Sequence, residues 1–485
     1  MSSEQVLLRR GIYADSVTLL QVSRQVGQAA GVQDALVGMA TELNLEMLAG
    51  MGFQPPGSES ANDLFIAVRA QDSQAVAAAA ELAERLLSAP HRTAGGAAAE
   101  QPPRTIGSAA RAGGGLALIS VPGQHAFTEA MDALEAGCDV LVFSDNVSVA
   151  DEIRLKDAAA SRGLLVMGPD CGTAVVGGLG LGFSHTVDPG PVGMVAASGT
   201  GAQQLLCLLD AAGVGVSAAL GVGGRDLSEE VAGRSTLAAL QILDADPGTE
   251  VILVVSKPPA APVAGRVREA AAGLGTPVRF ALLGPGQPDL TQAAESVLAE
   301  LGTPAPDWPS WISPAEPRPG ALRGLFCGGT LCDEAMLIAS AELGQIHSNI
   351  PLRPEWALDA GLRWPGHLMI DFGDDALTQG RAHPMIDPSL RNQRLAELLA
   401  DPDTAVVLLD VLLGHGSHPD PVAELLPVLD GSPVPVVVSL IGARRDPQQL
   451  DASARRLHEA GASVFSSNAA ATRHALSLIA TGGRS

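Results

Sequence analysis

Residues 192–201 read VGMVAASGTG, and residues 322–334 read LRGLFCGGTLCDE. Each is an apolar run that spells a strand, then a turn of Gly, Ser and Thr. Each then enters an amphipathic, helix-like run, Gln203 to Ala212 in the first and from Asp333 in the second. The pattern predicts strand, turn and helix twice over. The flanks repeat as well. Residues 218–226, AALGVGGRD, answer to residues 368–375, LMIDFGDD, and residues 246–255, DPGTEVILVV, answer to residues 401–410, DPDTAVVLLD. A strand that ends in such a turn at a helix start offers unbonded N–H groups and the positive end of the helix dipole, which suits an anion. A plain turn with a Ser/Thr N-cap explains one copy equally well. The recurrence favours the anion cradle.

Working outward, 485 residues predict roughly three or four domains. Apolar residues make up 46% and aromatics only 3%. The interior is therefore built from Ala, Val, Leu and Ile, as in buried parallel strands under Ala-rich helices. A net charge of −23 argues against a nucleic-acid partner. Lys156 and Lys257 are the two lysines, so any lysine clamp uses one of them. No G-x-x-x-x-G-K-[ST] segment is present, which excludes a P-loop. The five cysteines (Cys138, Cys171, Cys207, Cys327, Cys332) lack metal or disulfide spacing, and no metal is expected. No secretory or membrane-spanning run is found. The expectation is a cytoplasmic protein that takes a small-molecule substrate.

Along the chain, residues 1–88 read β-α-β-…-β-α, a ferredoxin-like α+β unit. Residues 89–105 read as a linker. Residues 106–190 alternate strand and helix as a Rossmann-like unit. Residues 191–303 and 321–485 are flavodoxin-like α/β domains carrying the two copies, with the Pro-rich stretch 302–320 between them. The second copy holds two insertions, 348–366 and 378–394. Insertions at strand ends of a parallel sheet are expected beside ligands.

The candidate phosphate or substrate ligands are Ser198, Gly199, Thr200 and Gly201 in copy one, and Cys327, Gly328, Gly329 and Thr330 in copy two. The turns with Gly223, Gly224, Gly373 and Asp374 join them, as do Arg381 and His418. Arg225 is positioned by sequence to pair a carboxylate or phosphate, and with His383 and His415 it forms the candidate catalytic set. For each, a loop-shaping or surface role is the alternative. Cys327, at a helix N-terminus, would have a lowered thiol pKa, unless it only fills a tight strand end as Ala197 does.

The stretches MGPDC (167–171), GMVAASGTG (193–201) and GVGGRD (221–226) resemble the α subunit of succinyl-CoA synthetase. With CGGTLCDEA and RAHPMIDPSLRNQR, the whole chain resembles the FdrA family, succinyl-CoA-synthetase-like proteins with an N-terminal extension and two ligase-type domains. Two departures stand out. The region before Leu116 lacks the strand and Gly-rich turn that hold the nucleotide end of CoA, which speaks against CoA. No histidine lies between His185 and His347 to act as the family's phosphohistidine. The resemblance implies a carbamoyltransferase subunit that interconverts oxalurate plus phosphate with oxamate plus carbamoyl phosphate in purine and allantoin catabolism. It also implies companion subunits; a homo-oligomer stays open. The alternatives are a nucleoside-diphosphate-forming acyl-CoA synthetase subunit and a non-catalytic anion-binding scaffold.

Overall fold

A computed structural model describes residues 3–480 apart from residues 13, 15, 55–56, 58–59, 61–62, 89–104, 112, 114 and 379–381. Its contacts divide the chain into two compact units, the first of residues 1–102 with 379–382 and the second of residues 103–378 with 383–485. The fold class is α/β with an N-terminal α+β unit.

The first unit runs β1 (Ser3–Arg9), α1 (Ser16–Gly27), β2 (Val32–Met39), α2 (Glu42–Gly50), β3 (Leu64–Ala70), α3 (Ser73–Ser88). Its sheet has the order β1-β3-β2, all antiparallel. That is a split β-α-β: β3 enters between the strands that α1 connects. The central strand is the apolar one, with Leu64 to Val68 buried. Helix α2 escaped the sequence reading, although Thr41 caps it by accepting the Asn44 N–H.

The second unit opens with α4 (Ile106–Arg111), β4 (Leu116–Ile119), α5 (Gly123–Glu135), β5 (Asp139–Val142), α6 (Val149–Ala160) and β6 (Val166–Met167). Strands β4-β5-β6 form a parallel sheet in that order.

Next come β7 (Thr173–Val176), β8 (Leu179–Gly182), β9 (Pro189–Ala197), α7 (Gly199–Ala211), β10 (Val216–Gly221), α8 (Arg234–Ala245), β11 (Val251–Ser256), α9 (Ala261–Ala272), β12 (Val278–Leu282) and α10 (Leu290–Glu300). The sheet order is β12-β11-β9-β10-β7-β8, with β9 to β12 parallel and the β7-β8 hairpin antiparallel at the edge.

The chain closes with β13 (Ser310–Trp311), β14 (Ala321–Phe326), α11 (Gly329–Leu343), β15 (Leu368–Asp371), α12 (Asp375–Thr378), α13 (Ser389–Leu399), β16 (Thr404–Leu412), α14 (Pro421–Leu429), β17 (Val436–Ile441), α15 (Leu450–Glu459), β18 (Ser463–Phe465) and α16 (Asn468–Ser477). Their sheet order is β13-β18-β17-β16-β14-β15, parallel except for β13.

The two large sheets share one plan. In each, the strand that leads into the Gly/Thr turn is flanked by the next two strands in sequence, giving the order 2-1-3-4. That reversal beside the first strand is a switch point, where ligands bind at the carboxyl ends. Helix α7 departs from its sequence reading. Its run looked amphipathic, yet Thr200 to Asp210 are all buried. One apolar cluster holds Met194, Leu205 and Leu206 from copy one together with Phe326, Leu331 and Met336 from copy two. The polar face of α7 is satisfied inside the protein: Gln204 Nε2 donates to Ser466 O (2.9 Å), Gln204 Oε1 accepts the Asn468 N–H (3.0 Å), and Asp210 accepts from Arg444. Left unpaired, such groups would cost about 1–3 kcal/mol each.

The insertion at 348–366 does not sit at the carboxyl strand ends as expected. It lies along the outer edge of β15, with His347 bridged to Leu368 and the carbonyls of Trp364, Pro365 and Gly366 receiving the buried Arg323 guanidinium. It blunts an exposed sheet edge. Only Asn349 reaches the strand end, exchanging two hydrogen bonds with the Asp371 backbone (both 2.9 Å).

Candidate functional site

The switch points of the two sheets meet. Ser198 caps α7, its Oγ accepting the Gly201 N–H (3.0 Å) while lying 2.6 Å from Thr330 Oγ1 at the start of α11. The reciprocal contact joins Thr200 to Gly328. A Cβ on Gly328 would lie 2.3 Å from Thr200 Cγ2, so glycine is required there by close approach. Copy two accordingly has no side-chain cap at Gly328. The N-termini of α7 and α11 thus come together around a local two-fold, with Ser198, Thr200 and Thr330 all buried. The first N–H groups of each helix have no intrahelical partner, and both dipoles present their positive ends.

Charge gathers at the same place. A Cβ on Gly329 would lie 2.6 Å from Lys257 Nζ and 2.8 Å from Asp371 Oδ2. Lys257 follows β11, and Asp371 ends β15, so both come from carboxyl strand ends. Burial pushes Asp371 up to about 7, against the pull of Lys257 and the Gly373 N–H. Asp333 lies one helical turn beyond Gly329 on the same face of α11. Burial raises it too, to about 7, with Lys257 acting the other way.

The surroundings of these paired turns are acidic. Asp170, after β6, is exposed yet enclosed on most sides by protein, and that enclosure, with Asp375 and Asp145, raises it to about 7. Lys257 and Arg225 oppose the shift. Asp375 is raised as well, by burial first and then by Asp145 and Asp374. Carboxyl strand ends from three sheets therefore contribute to one charged cluster.

The sequence-predicted residues divide. Gly199 and Gly201 belong to the paired turns. Gly223 (φ +91°) serves close packing: a Cβ there would meet Pro169 O at 2.5 Å, which seats the GVGGRD turn on the MGPDC turn. Gly224 faces Asp170, with Oδ2 3.9 Å from where its Cβ would be. Gly373 donates its N–H to Asp371 Oδ1 (2.9 Å), and Asp374 accepts the Ala376 N–H. His383 is beside the copy-two turn, its Nε2 2.8 Å from a would-be Gly373 Cβ, and burial lowers its pKa to about 4. Arg225 is on the rim but committed, pairing Glu152 Oε2 (2.9 Å) and donating to Val147 O (2.9 Å).

Two histidines are used elsewhere. His415 is exposed, with Nε2 3.0 Å from Thr186 Oγ1. His418 is buried, and its Nδ1 accepts the Asp420 N–H (2.9 Å). Gly416 puts a loop between them, so no shared face forms. Arg381 lies outside the described residues.

Of the two readings of Cys327, the structure favours the tight strand end. Its thiol is driven well above the ordinary value by burial, not lowered by the helix. Arg391 Nη1 donates to its Sγ (2.7 Å) and to Asp410 O (2.6 Å), while Asp410 Oδ1 accepts the Cys327 N–H (2.7 Å). Arg391, Asp410, Asp371, Asp333 and Asp170 were not singled out from sequence. The available signal was a carboxylate closing or interrupting an otherwise apolar strand, as in Leu368-Met369-Ile370-Asp371. Among the described residues no group of three or more His, Cys, Asp or Glu is placed to hold a metal ion, and no helix is long and apolar enough to cross a membrane.

The sequence model of the CoA-ligase family matches residues 325–478, and that of the AllF heavy-metal-associated domain matches residues 1–103. The latter stretch carries no cysteine, so its residues do not fit a thiolate-bound soft metal. The uncharacterized protein YahF of Escherichia coli strain K12 is 37% identical over 96% of both chains. A succinate–CoA ligase [ADP-forming] α subunit of Methanothermobacter thermautotrophicus is 27% identical over 29% of this chain and 47% of its own. An α subunit of the same ligase from Archaeoglobus fulgidus is 29% identical over 32% and 52%. Against those two subunits the match spans about half their length. These findings overturn the expected carbamoyltransferase, with its carbamoyl phosphate and ureido-acid chemistry: the matching family and these relatives of named activity are CoA ligases. The ground for leaving CoA out, a missing Gly-rich turn, falls with it.

Proposed function

This chain belongs to the YahF family of succinyl-CoA-synthetase-like proteins, and from that premise we propose that it is the phosphoryl-handling subunit of a CoA-ligase-type enzyme. The reaction is the interconversion of an acyl phosphate and CoA with an acyl-CoA and phosphate. The observation that carries this reading is the meeting of two helix N-termini at Ser198–Thr330 and Thr200–Gly328. Oriented N–H groups in a buried setting stabilise the equatorial oxygens of a phosphoryl group and the charge that develops on a departing phosphate. The hydroxyl of Thr200, and that of whichever of Ser198 and Thr330 accepts in their mutual hydrogen bond, supply further donors.

CoA enters as the acyl acceptor. Its polyphosphate end does not fit the acidic surroundings formed by Asp145, Asp170 and Asp375, so in this reading a companion subunit carries that surface. The sequence offers no histidine between 186 and 346, so no phosphohistidine loop takes part from that stretch. The acyl group is left unnamed, because the paired turns fix the phosphate and not the acid.

The test is thioester formation. The tagged chain, alone and with the subunits it captures from its host, is incubated with CoA and a panel of acyl phosphates. The expected result is stoichiometric thioester and phosphate from one of them, reduced about a hundredfold by Thr330→Val, the scale of losing one oxyanion donor. No thioester from any acyl phosphate with the assembled complex would overturn the reading.

A further inference from the structure

Only two lysines exist in this chain, and the structure uses them in opposite ways. Lys156 is buried and fully engaged: Nζ donates to Glu152 Oε1 (2.7 Å), Asp226 Oδ1 (2.7 Å) and Val222 O (3.0 Å). Asp226 in turn accepts from Ser235 N, Thr236 N and Thr236 Oγ1. That lysine is structural, and moving it would leave the buried Asp226 carboxylate without a counter-charge.

Lys257 is the reverse. It is half-buried, and among the described residues its ammonium makes no hydrogen bond and no ion pair within 4 Å. It nevertheless sits over Gly329, at the positive end of α11 and beside that of α7. A cation against a helix N-terminus is electrostatically unfavourable. The neighbouring carboxylates do not remove the cost, since burial holds Asp333 and Asp371 in the range where each is partly protonated at neutral pH. Asp333 is buried and has no hydrogen-bond partner among the described residues. Two helix ends and one uncommitted ammonium, with the buried Asp333 carboxyl on the same face able to donate in its protonated form, describe a place completed by an anion. Arg225, the other cation of the cluster, is held by Glu152 and the Val147 carbonyl.

We propose that Lys257 is the cation that clamps the phosphoryl group of the substrate between the α7 and α11 N-termini. The glycine at 329 leaves the ammonium room at the helix end, where a Cβ would crowd it at 2.6 Å. As a point charge with three donors, lysine suits a phosphate whose other oxygens are already held by backbone amides. The proposal rests on the phosphoryl-handling reading and adds to it the residue that supplies the charge.

The experiment is titration of the full-length chain with inorganic phosphate and, separately, acetyl phosphate, followed by 31P NMR and calorimetry. Lys257→Met is expected to weaken both ligands at least thirtyfold with an unchanged melting temperature, and Lys257→Arg to stay within about fivefold of wild type. Equal binding by wild type and Lys257→Met would overturn the clamp and leave the site reading standing. Binding of neither ligand by the wild type would overturn both. Loss in Lys257→Met accompanied by an equal loss in Lys257→Arg, with both folded, would also count against a charge-based clamp.

Discussion

Copy one and copy two share a sheet order and a register, yet one is apolar where the other is ionic. Gly221 pairs with Ala196 in the first sheet, and in the second Asp371 pairs with Phe326 at the equivalent step. Where copy one has Ala197 and Val255, copy two has Cys327 and Asp410 under Arg391. Gln203 of α7 corresponds to Asp333 of α11. The caps diverge as well, Ser198 against Gly328. Duplication explains the geometry, two helix ends related by a local two-fold. The differences explain the chemistry: copy one supplies a capped, neutral wall, and copy two supplies the carboxyls that surround the copy-one Lys257. Two copy-one turns would put a side chain where Gly328 now packs on Thr200, and would carry no carboxyl at the positions of Asp333 and Asp371.

The largest test of that difference is Arg391→Met. It strands the buried Asp410 carboxylate, already raised to about 6 by burial with Arg391 pulling it down. The expected loss is about 3–5 kcal/mol, read from the urea midpoint. Arg391→Met combined with Asp410→Val and Cys327→Ala rebuilds copy-one chemistry in copy two and should recover most of it. Failure to recover would mean that the ionic cluster is not an insertion into an otherwise equivalent core.

A smaller effect is expected from Gly328→Ala. The added Cβ meets Thr200 at 2.3 Å, and overpacking of this kind costs about 1–3 kcal/mol. Adding Thr200→Gly removes the obstructing atoms, so thermal melting of the pair should show a favourable coupling. Additive losses would break the two-fold reading of the turns.

The third prediction concerns pH. Asp371 and Asp333 have folded-state values near 7, above the ordinary 3.8. The folded protein therefore holds protons that the unfolded chain releases between about pH 4 and 7. The stabilisation they confer is complete at low pH and is lost as pH rises through 7. His383, lowered to about 4 by burial, acts in the opposite direction as pH falls from about 6.5 towards 4. For ligands the sign is direct: ionised carboxyls repel an anion. Sulfate, a dianion throughout, should bind about tenfold more weakly at pH 8 than at pH 6, some 1.4 kcal/mol. Asp333→Asn with Asp371→Asn should flatten the dependence. An unchanged slope in that double variant would assign it to Asp170 and Asp375.

Much of this was legible. The strand–turn–helix stretches, the repeat and the Ala/Val/Leu interior follow from periodicity and composition, which report local structure. Counting lysines narrowed the clamp to two residues. The misreadings share a cause. The α7 run looked amphipathic because Gln203, Gln204 and Asp210 are polar, yet they are buried and satisfied by residues 20 to 264 positions away. Cys327 carried two readings because helix position is visible in sequence and burial is not. His383, His415 and His418 were candidates by residue type alone, and only packing sets His383 beside a turn.

The sequence by itself determined the two anion-suited turns and the rarity of cations that could serve them. It determined the absence of a histidine across the first copy and the apolar strands that deliver each turn to a sheet end. Tertiary structure decided that the turns face each other, that Lys156 is spent while Lys257 is not, and that carboxylates from separate strands share one charged cluster. Local propensity and count are properties of neighbouring residues, whereas desolvation and charge coupling depend on distances that exist only once the two sheets have packed.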